Sequence, residues 1–245
     1  MKRYLSFDIE TAKVLPSEVK DILHHRPLGI ACATAVAEDD TANTFLWHGW
    51  DEDRHPAKQM APEEAEQMVI DLVELSAKGY TLLTWNGAHF DFDVLAEESG
   101  RVNDCAALAK NHVDMLFHVL CSLGYPVSLQ KAAEGMKLPG KKDGVSGALA
   151  PKMWEDGKHK EVIEYCLQDV RLTLQVAKKC ELGRQLTWIT QRGKAKQLGL
   201  PTGWLTVQEA YRLPYPIPHG CRTPYHAMAP SAGFLTPSEL RQALF

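Results

Sequence analysis

Four acidic side chains and one phenol fall in three short segments that could share one reaction centre. Asp8 and Glu10 stand two apart in FDIET (7–11), Asp91 closes NGAHFD (86–91), and Tyr165 and Asp169 stand four apart in YCLQD (165–169). Residues two apart on a strand face the same side, and residues four apart on a helix share a face. Gathered together, four carboxylates repel one another, and each is driven toward protonation unless cations compensate. Carboxylate oxygens and water suit Mg2+ or Mn2+ rather than metals that favour sulfur. Two such ions about 4 Å apart activate a water and stabilise the departing oxygen of a phosphoryl transfer. The Tyr165 phenol would then hydrogen-bond the attacking water or the scissile phosphate.

These segments need elements to hold them. Tyr4 to Ile9 alternates and is rich in apolar residues, which predicts a first strand ending at FDIET. Leu28–Ala37 and Asn43–His48 are apolar runs separated by Glu38, Asp39 and Asp40, the pattern of an antiparallel hairpin. Pro62 opens a helix to about Lys78, with Met68, Val69, Leu72, Val73 and Leu75 as its apolar stripe and Gly79 as its stop. Tyr80 to Trp85 is a buried strand leading into NGAHFD. Phe92 to Leu120 has a helical pattern with a break near Asn111–Asp114. Ser128 caps a short helix to Met136, residues 137–147 form a Gly/Lys-rich loop, and His159 to Glu181 is a long amphipathic helix carrying YCLQD. The expected architecture is α/β: a mixed sheet with the hairpin at one side, the first strand central and helices on both faces. The last 60 residues hold seven prolines and little periodicity. Residues 183–245 are therefore expected to form a mildly basic extension that packs in part on the core.

Composition narrows the class. The chain has 245 residues, 45% hydrophobic and 24% charged, in the ordinary range of a soluble globular protein. No segment approaches the roughly 18 apolar residues of a membrane helix. Asp8 and Glu10 interrupt any apolar core of a signal peptide, so a cytoplasmic location is expected. The six cysteines show no CxxC pair and no zinc spacing. Residues 1–182 carry 20 Lys and Arg against 29 Asp and Glu, or −9. Residues 183–245 carry 7 against 2, or +5, and the sum is the chain's −4. Bound cations would offset part of the acidic excess, and a basic tail beside an acidic site suits a polyanion or is simply a solvated surface.

FDIET, NGAHFD and YCLQD together resemble the three motifs of the DEDD superfamily of 3′–5′ exonucleases. The Tyr-x3-Asp form of the third is similar to the DEDDy branch, which includes DNA polymerase proofreading domains. VSLQKAAEGM (127–136), followed by KKDG, is similar to the stretch before the third motif in family-B proofreading domains and their stand-alone relatives. The resemblance covers about residues 1–182 and implies a free-standing nuclease with the ribonuclease H-like five-stranded mixed sheet. It implies that Asp8, Glu10, Asp91 and Asp169 hold two Mg2+ or Mn2+ ions and that Tyr165 orients the water. Thr11, Asn86 and Phe90 lie in the matching motifs and would help position the terminal nucleotide. Single-stranded 3′ ends are the implied substrate, DNA slightly favoured over RNA, and nucleoside 5′-monophosphates the product.

Other polar residues keep plainer alternatives. Lys141 and Lys142 would contact a phosphate backbone or belong to a solvated loop, and Arg192, Lys194 and Lys196 carry the same two readings. His89 suits a turn, Asp93 and Asp114 suit helix starts, and Trp47, Trp50 and Trp85 suit packing. Two rival functions remain beside the exonuclease: a silent nucleic-acid-binding module of the same fold, and a phosphodiesterase of small nucleotides or dinucleotides.

Overall fold

The computed structural model describes residues 2–19, 21–140 and 146–214. The expected sheet is there. In chain order the elements are β1 (Arg3–Thr11), β2 (Ile30–Ala37), β3 (Asp40–His48), α1 (Pro62–Ala77), β4 (Tyr80–Thr84), α2 (Asp91–Ser99), α3 (Val102–Asn111), β5 (Val113–Asp114) and α4 (Met115–Leu123). They continue as α5 (Leu129–Gly135), α6 (Ala150–Glu155), α7 (His159–Gly183), β6 (Gln185–Ile189), β7 (Ala195–Gly199) and α8 (Val207–Ala210). The sheet order is β3-β2-β1-β4-β5, with β1 antiparallel to β2 and parallel to β4.

Alternation along β1 divides the molecule. Leu5, Phe7 and Ile9 enter one core with Met68, Val69 and Leu72 of α1 and Phe92 of α2. Tyr4 enters the opposite core with Val170, Leu174 and Ala177 of α7, and Ser6, Asp8 and Glu10 follow it at two-residue steps on that side. Every residue of β2 is buried, because helices cover both faces of the sheet's middle. Burying a Leu, Val or Met side chain fully is worth about 1.5–3 kcal/mol, so these two layers hold β1 against movement. Val73 departs from the expected stripe of α1: it is exposed, while Ala65, Met68, Val69, Leu72 and Leu75 face inward.

The helical stretch after Phe92 is broken twice, not once. Gly100, at φ 69°, ends α2 with a left-handed cap. The break expected at Asn111–Asp114 is the short strand β5, which adds to the sheet's edge beside β4. Ser128 caps α5 as expected, accepting from the Lys131 N–H. Features not anticipated include the short helix α6, and the antiparallel hairpin β6–β7 and helix α8 inside the segment read as an extension. Leu186, Trp188, Leu200 and Trp204 of that segment lie in the same buried cluster as α5 and α7. Lys141 and Lys142 fall outside the described residues, as does everything after 214. Among the described residues no helix is long and apolar enough to cross a membrane.

Candidate active site

The C-terminal end of β1 is where the three segments meet. Asp8 is half-buried, and Glu10, Asp91 and Asp169 are buried. Burial pushes the Asp8 carboxyl well above the usual carboxylate range, and the neighbouring charges of Asp91, Glu10 and Asp169 push it further. Acids from all three segments therefore act on one another. Asp8 and Asp91 face each other closely enough that the state of one shifts the other. Burial also raises Asp91, against the opposing pull of Asp8 and of the Ile9 N–H, which donates to its Oδ1 at 3.1 Å. The second segment is thus stitched to the backbone of the first.

Ligand atoms of Asp8, Glu10 and Cys166 all lie within 4.8 Å of one another. Two hard carboxylate oxygens in that span fit a divalent cation such as Mg2+ or Mn2+, and the mutual repulsion at Asp8 is what a cation would relieve. Cys166 was not singled out from the sequence; it is the residue after Tyr165. Its thiol sits 3.1 Å from Thr34 Oγ1 and donates to the Asp8 carbonyl at 3.5 Å. Burial, a hydrogen bond with Cys32 and the charge of Asp8 raise it well above an ordinary thiol, so it is a neutral floor beneath the carboxylates. Only its place on the α7 face packed against β1 and β2 could have signalled this.

Tyr165 and Asp169 are both buried on α7, one turn apart. Thr11 is buried at an irregularity in the β1–β2 pairing between Glu10 and Thr11, which turns the chain as it leaves the site. A cavity of about 370 Å3 begins just beyond, lined by Ala12, Lys13, Gly29, Lys58, Glu98 and Glu155 among others, but none of the four acids lines it.

The turn that presents Asp91 is held by a residue first read as a helix start. Asp114 is that: its side chain accepts from the Phe117 N–H at 3.0 Å and caps α4. It also accepts from the N–H groups of Asn86 and Ala88, each at 3.0 Å. Asn86 takes φ 84°, a left-handed conformation that a side-chain-bearing residue rarely adopts, and these bonds hold it there. The Gly87 N–H donates to Thr84 Oγ1 at 3.0 Å, and that hydroxyl lies 3.0 Å from His112 Nε2. A Cβ on Gly87 would sit 2.5 Å from Thr84 Oγ1, so the approach needs glycine. Phe90, half-buried, precedes α2 and packs on the α1-side core. Asp93 lies in the first turn of α2, as its reading as a helix start has it, and is buried and ion-paired with Arg26. Trp50 is 60% exposed and rests against His48, while Trp47 donates to Asp71 at 2.8 Å.

A family model described as the RNase_H superfamily matches residues 33–181. Among solved structures, the chain is similar to the family B DNA polymerase from the hyperthermophilic archaeon Pyrobaculum calidifontis, at 16% identity and a TM-score of 0.49. That likeness covers 74% of this chain and 25% of the polymerase, so the chain spans about a quarter of that protein's length. No curated protein matches.

Proposed function

The chain belongs to the RNase_H superfamily, and from that premise we propose that its carboxylate cluster is the centre of a metal-dependent 3′–5′ exonuclease. It would remove nucleotides from the 3′ end of a single strand and release nucleoside 5′-monophosphates. The observation that supports this most is the mutual influence of Asp8, Glu10, Asp91 and Asp169, from segments 81 and 78 residues apart. Structural carboxylates are normally paired with cations or N–H groups, and the repulsion within a cluster of acids facing each other is what bound cations would relieve.

Asp8, Glu10, Asp91 and Asp169 would hold the divalent ions. When bound, such ions supply an activated water and charge neutralisation for the departing oxygen. The chain's own residues do the rest. The Ile9 N–H fixes one oxygen of Asp91, and the Asp114-anchored turn fixes the direction from which Asp91 enters. Tyr165, one helical turn before Asp169, offers a phenol to the attacking water or the scissile phosphate. Asn86, Phe90 and Thr11 would place the terminal nucleotide.

The test is degradation of 5′-labelled single-stranded DNA and RNA, side by side, with Mg2+, with Mn2+ and with chelator. Stepwise shortening from the 3′ end that needs a divalent ion, and that Asp8→Ala abolishes in folded protein, is expected. Full turnover by purified Asp8→Ala would end the proposal. Turnover of a dinucleotide but not of longer strands would replace it with a small-nucleotide phosphodiesterase.

A further inference from the structure

The 27 residues from Leu182 to Gln208 contain no Asp or Glu, in a chain that has 31 of them, and carry Arg184, Arg192, Lys194 and Lys196. This acid-free stretch holds the hairpin β6–β7, which starts after the family match ends at 181. Elsewhere many cations are matched to acids: Arg3 to Asp39, Arg26 to Asp93, Arg101 to Glu66 and Asp104, Lys152 to Glu155 and Asp156. Among the described residues Arg192, Lys194 and Lys196 have no acidic partner, and all three are exposed.

The hairpin is no loose appendage. Leu186 and Trp188 are buried against α5 and α7, and the Thr187 N–H donates to Met136 Sδ at 3.2 Å. A Cβ on Gly135 would lie 2.4 Å from both Thr187 O and Trp188 Cα, so helix and strand touch backbone to backbone. Trp188 pairs across the hairpin with Lys196, whose ammonium stands 5.7 Å above the ring of Tyr125. Tyr125 is itself 38% exposed. Lys194 stands just before β7, two residues from Lys196, and Arg192 lies in the turn of the hairpin. The result is a fixed, unneutralised cationic ridge with an aromatic ring at its foot, the combination that tracks a phosphate backbone while a base stacks nearby.

We propose that this hairpin is a second contact for the nucleic-acid strand, gripping the phosphodiester backbone upstream of the 3′ end held at the carboxylates. The proposal rests on the nuclease reading above. Fourteen residues separate Asp169 from Gly183, about 21 Å of helix at 1.5 Å per residue. A strand stacked at the 3.4 Å rise of a duplex strand would cover that distance with about six nucleotides, and an extended one with fewer. Only strands of several nucleotides would therefore reach the ridge.

The experiment compares the full chain with its Arg192→Gln/Lys194→Gln/Lys196→Gln variant, whose exposed positions leave the fold intact; thermal unfolding checks this. Binding of a labelled trinucleotide and a longer single strand is followed by fluorescence anisotropy in chelator, over a salt series. Turnover of both is measured with Mn2+. The variant should bind the long strand more weakly, with a log affinity against log salt slope shallower by about 2, at about 0.7 per lost phosphate contact. The ratio of long- to short-strand turnover should fall. Equal slopes and equal ratios in a wild type that cleaves would overturn the hairpin contact and leave the nuclease standing. A wild type that neither binds nor cleaves either strand would overturn the nuclease, and this proposal with it.

Discussion

Asp91 and Asp114 are the same residue type, equally buried at 2% exposure, one following the 86–90 turn and the other anchoring it from β5, yet they are treated in opposite ways. Asp114 receives three backbone N–H groups. Asp91 receives the Ile9 N–H and a bond from its own backbone, and it also faces another acid, Asp8. The first is a carboxylate whose burial has been answered by the backbone. The second belongs to a group whose burial has been answered only in part, which the proposed cations would complete. A buried acid is thus read by its partners and not by its burial.

The sharpest break in this comparison is functional. Asp8→Asn should abolish cleavage, yet in cation-free protein above the acid range it should raise the melting temperature, because it replaces a carboxyl whose ionisation burial and the charges of Asp91, Glu10 and Asp169 oppose. A fall in melting temperature would mean that the cluster is stabilising without ions. Next in size, Asp114→Ala should destabilise by about 3 kcal/mol, since three buried N–H groups lose their acceptor. Asp114→Asn should lose about 1 kcal/mol, because one oxygen still serves Asn86 and Phe117 while Ala88 loses its partner. Urea unfolding of the two variants checks the order, and equal losses would show that the bond to Ala88 matters little.

pH gives the smaller and more diagnostic effect. The folded carboxyls of Asp8 and Asp91 keep their protons above the pH at which the unfolded chain releases them, about 4. The folded state therefore binds more protons than the unfolded one in the window between the two. Cation-free stability is fully present below that window and is lost as pH rises through the raised folded values, at up to about 1.4 kcal/mol per pH unit for each proton. The gain in melting temperature on adding Mg2+ should accordingly widen with pH. A gain that stays flat from acid to neutral pH would separate cation binding from these carboxyls.

Much of this was legible in the chain because its signals are local. The alternation of β1, the proline and stripe of α1, the Ser128 cap and the helical spacing of Tyr165 and Asp169 each specify an element from within a few residues. Sequential pairing then places β1 between the hairpin and β4. What was not legible depends on contacts between distant segments. Nothing near Asp114 shows that its oxygens also reach Asn86 and Ala88, 26 to 28 residues away, so it read as a cap alone. Cys166 lies 158 residues from the Asp8 carbonyl it touches. The hairpin after residue 184 was masked by the prolines that follow it, although Leu186 and Trp188 alternate and Gly193, at φ 71°, marks its turn.

One unbroken α-helix of 25 residues, His159–Gly183, carries Tyr165 and Asp169 early and delivers the chain to β6 at its end. Such a rod keeps phase as well as length. One residue inserted between Asp169 and Gly183 would swing everything beyond it by about 100° and push it 1.5 Å outward. Among insertions of fewer than ten residues, seven, close to two full turns, come nearest to restoring the angle. The stretch is therefore intolerant of indels for a reason of azimuth, whichever side chains occupy it.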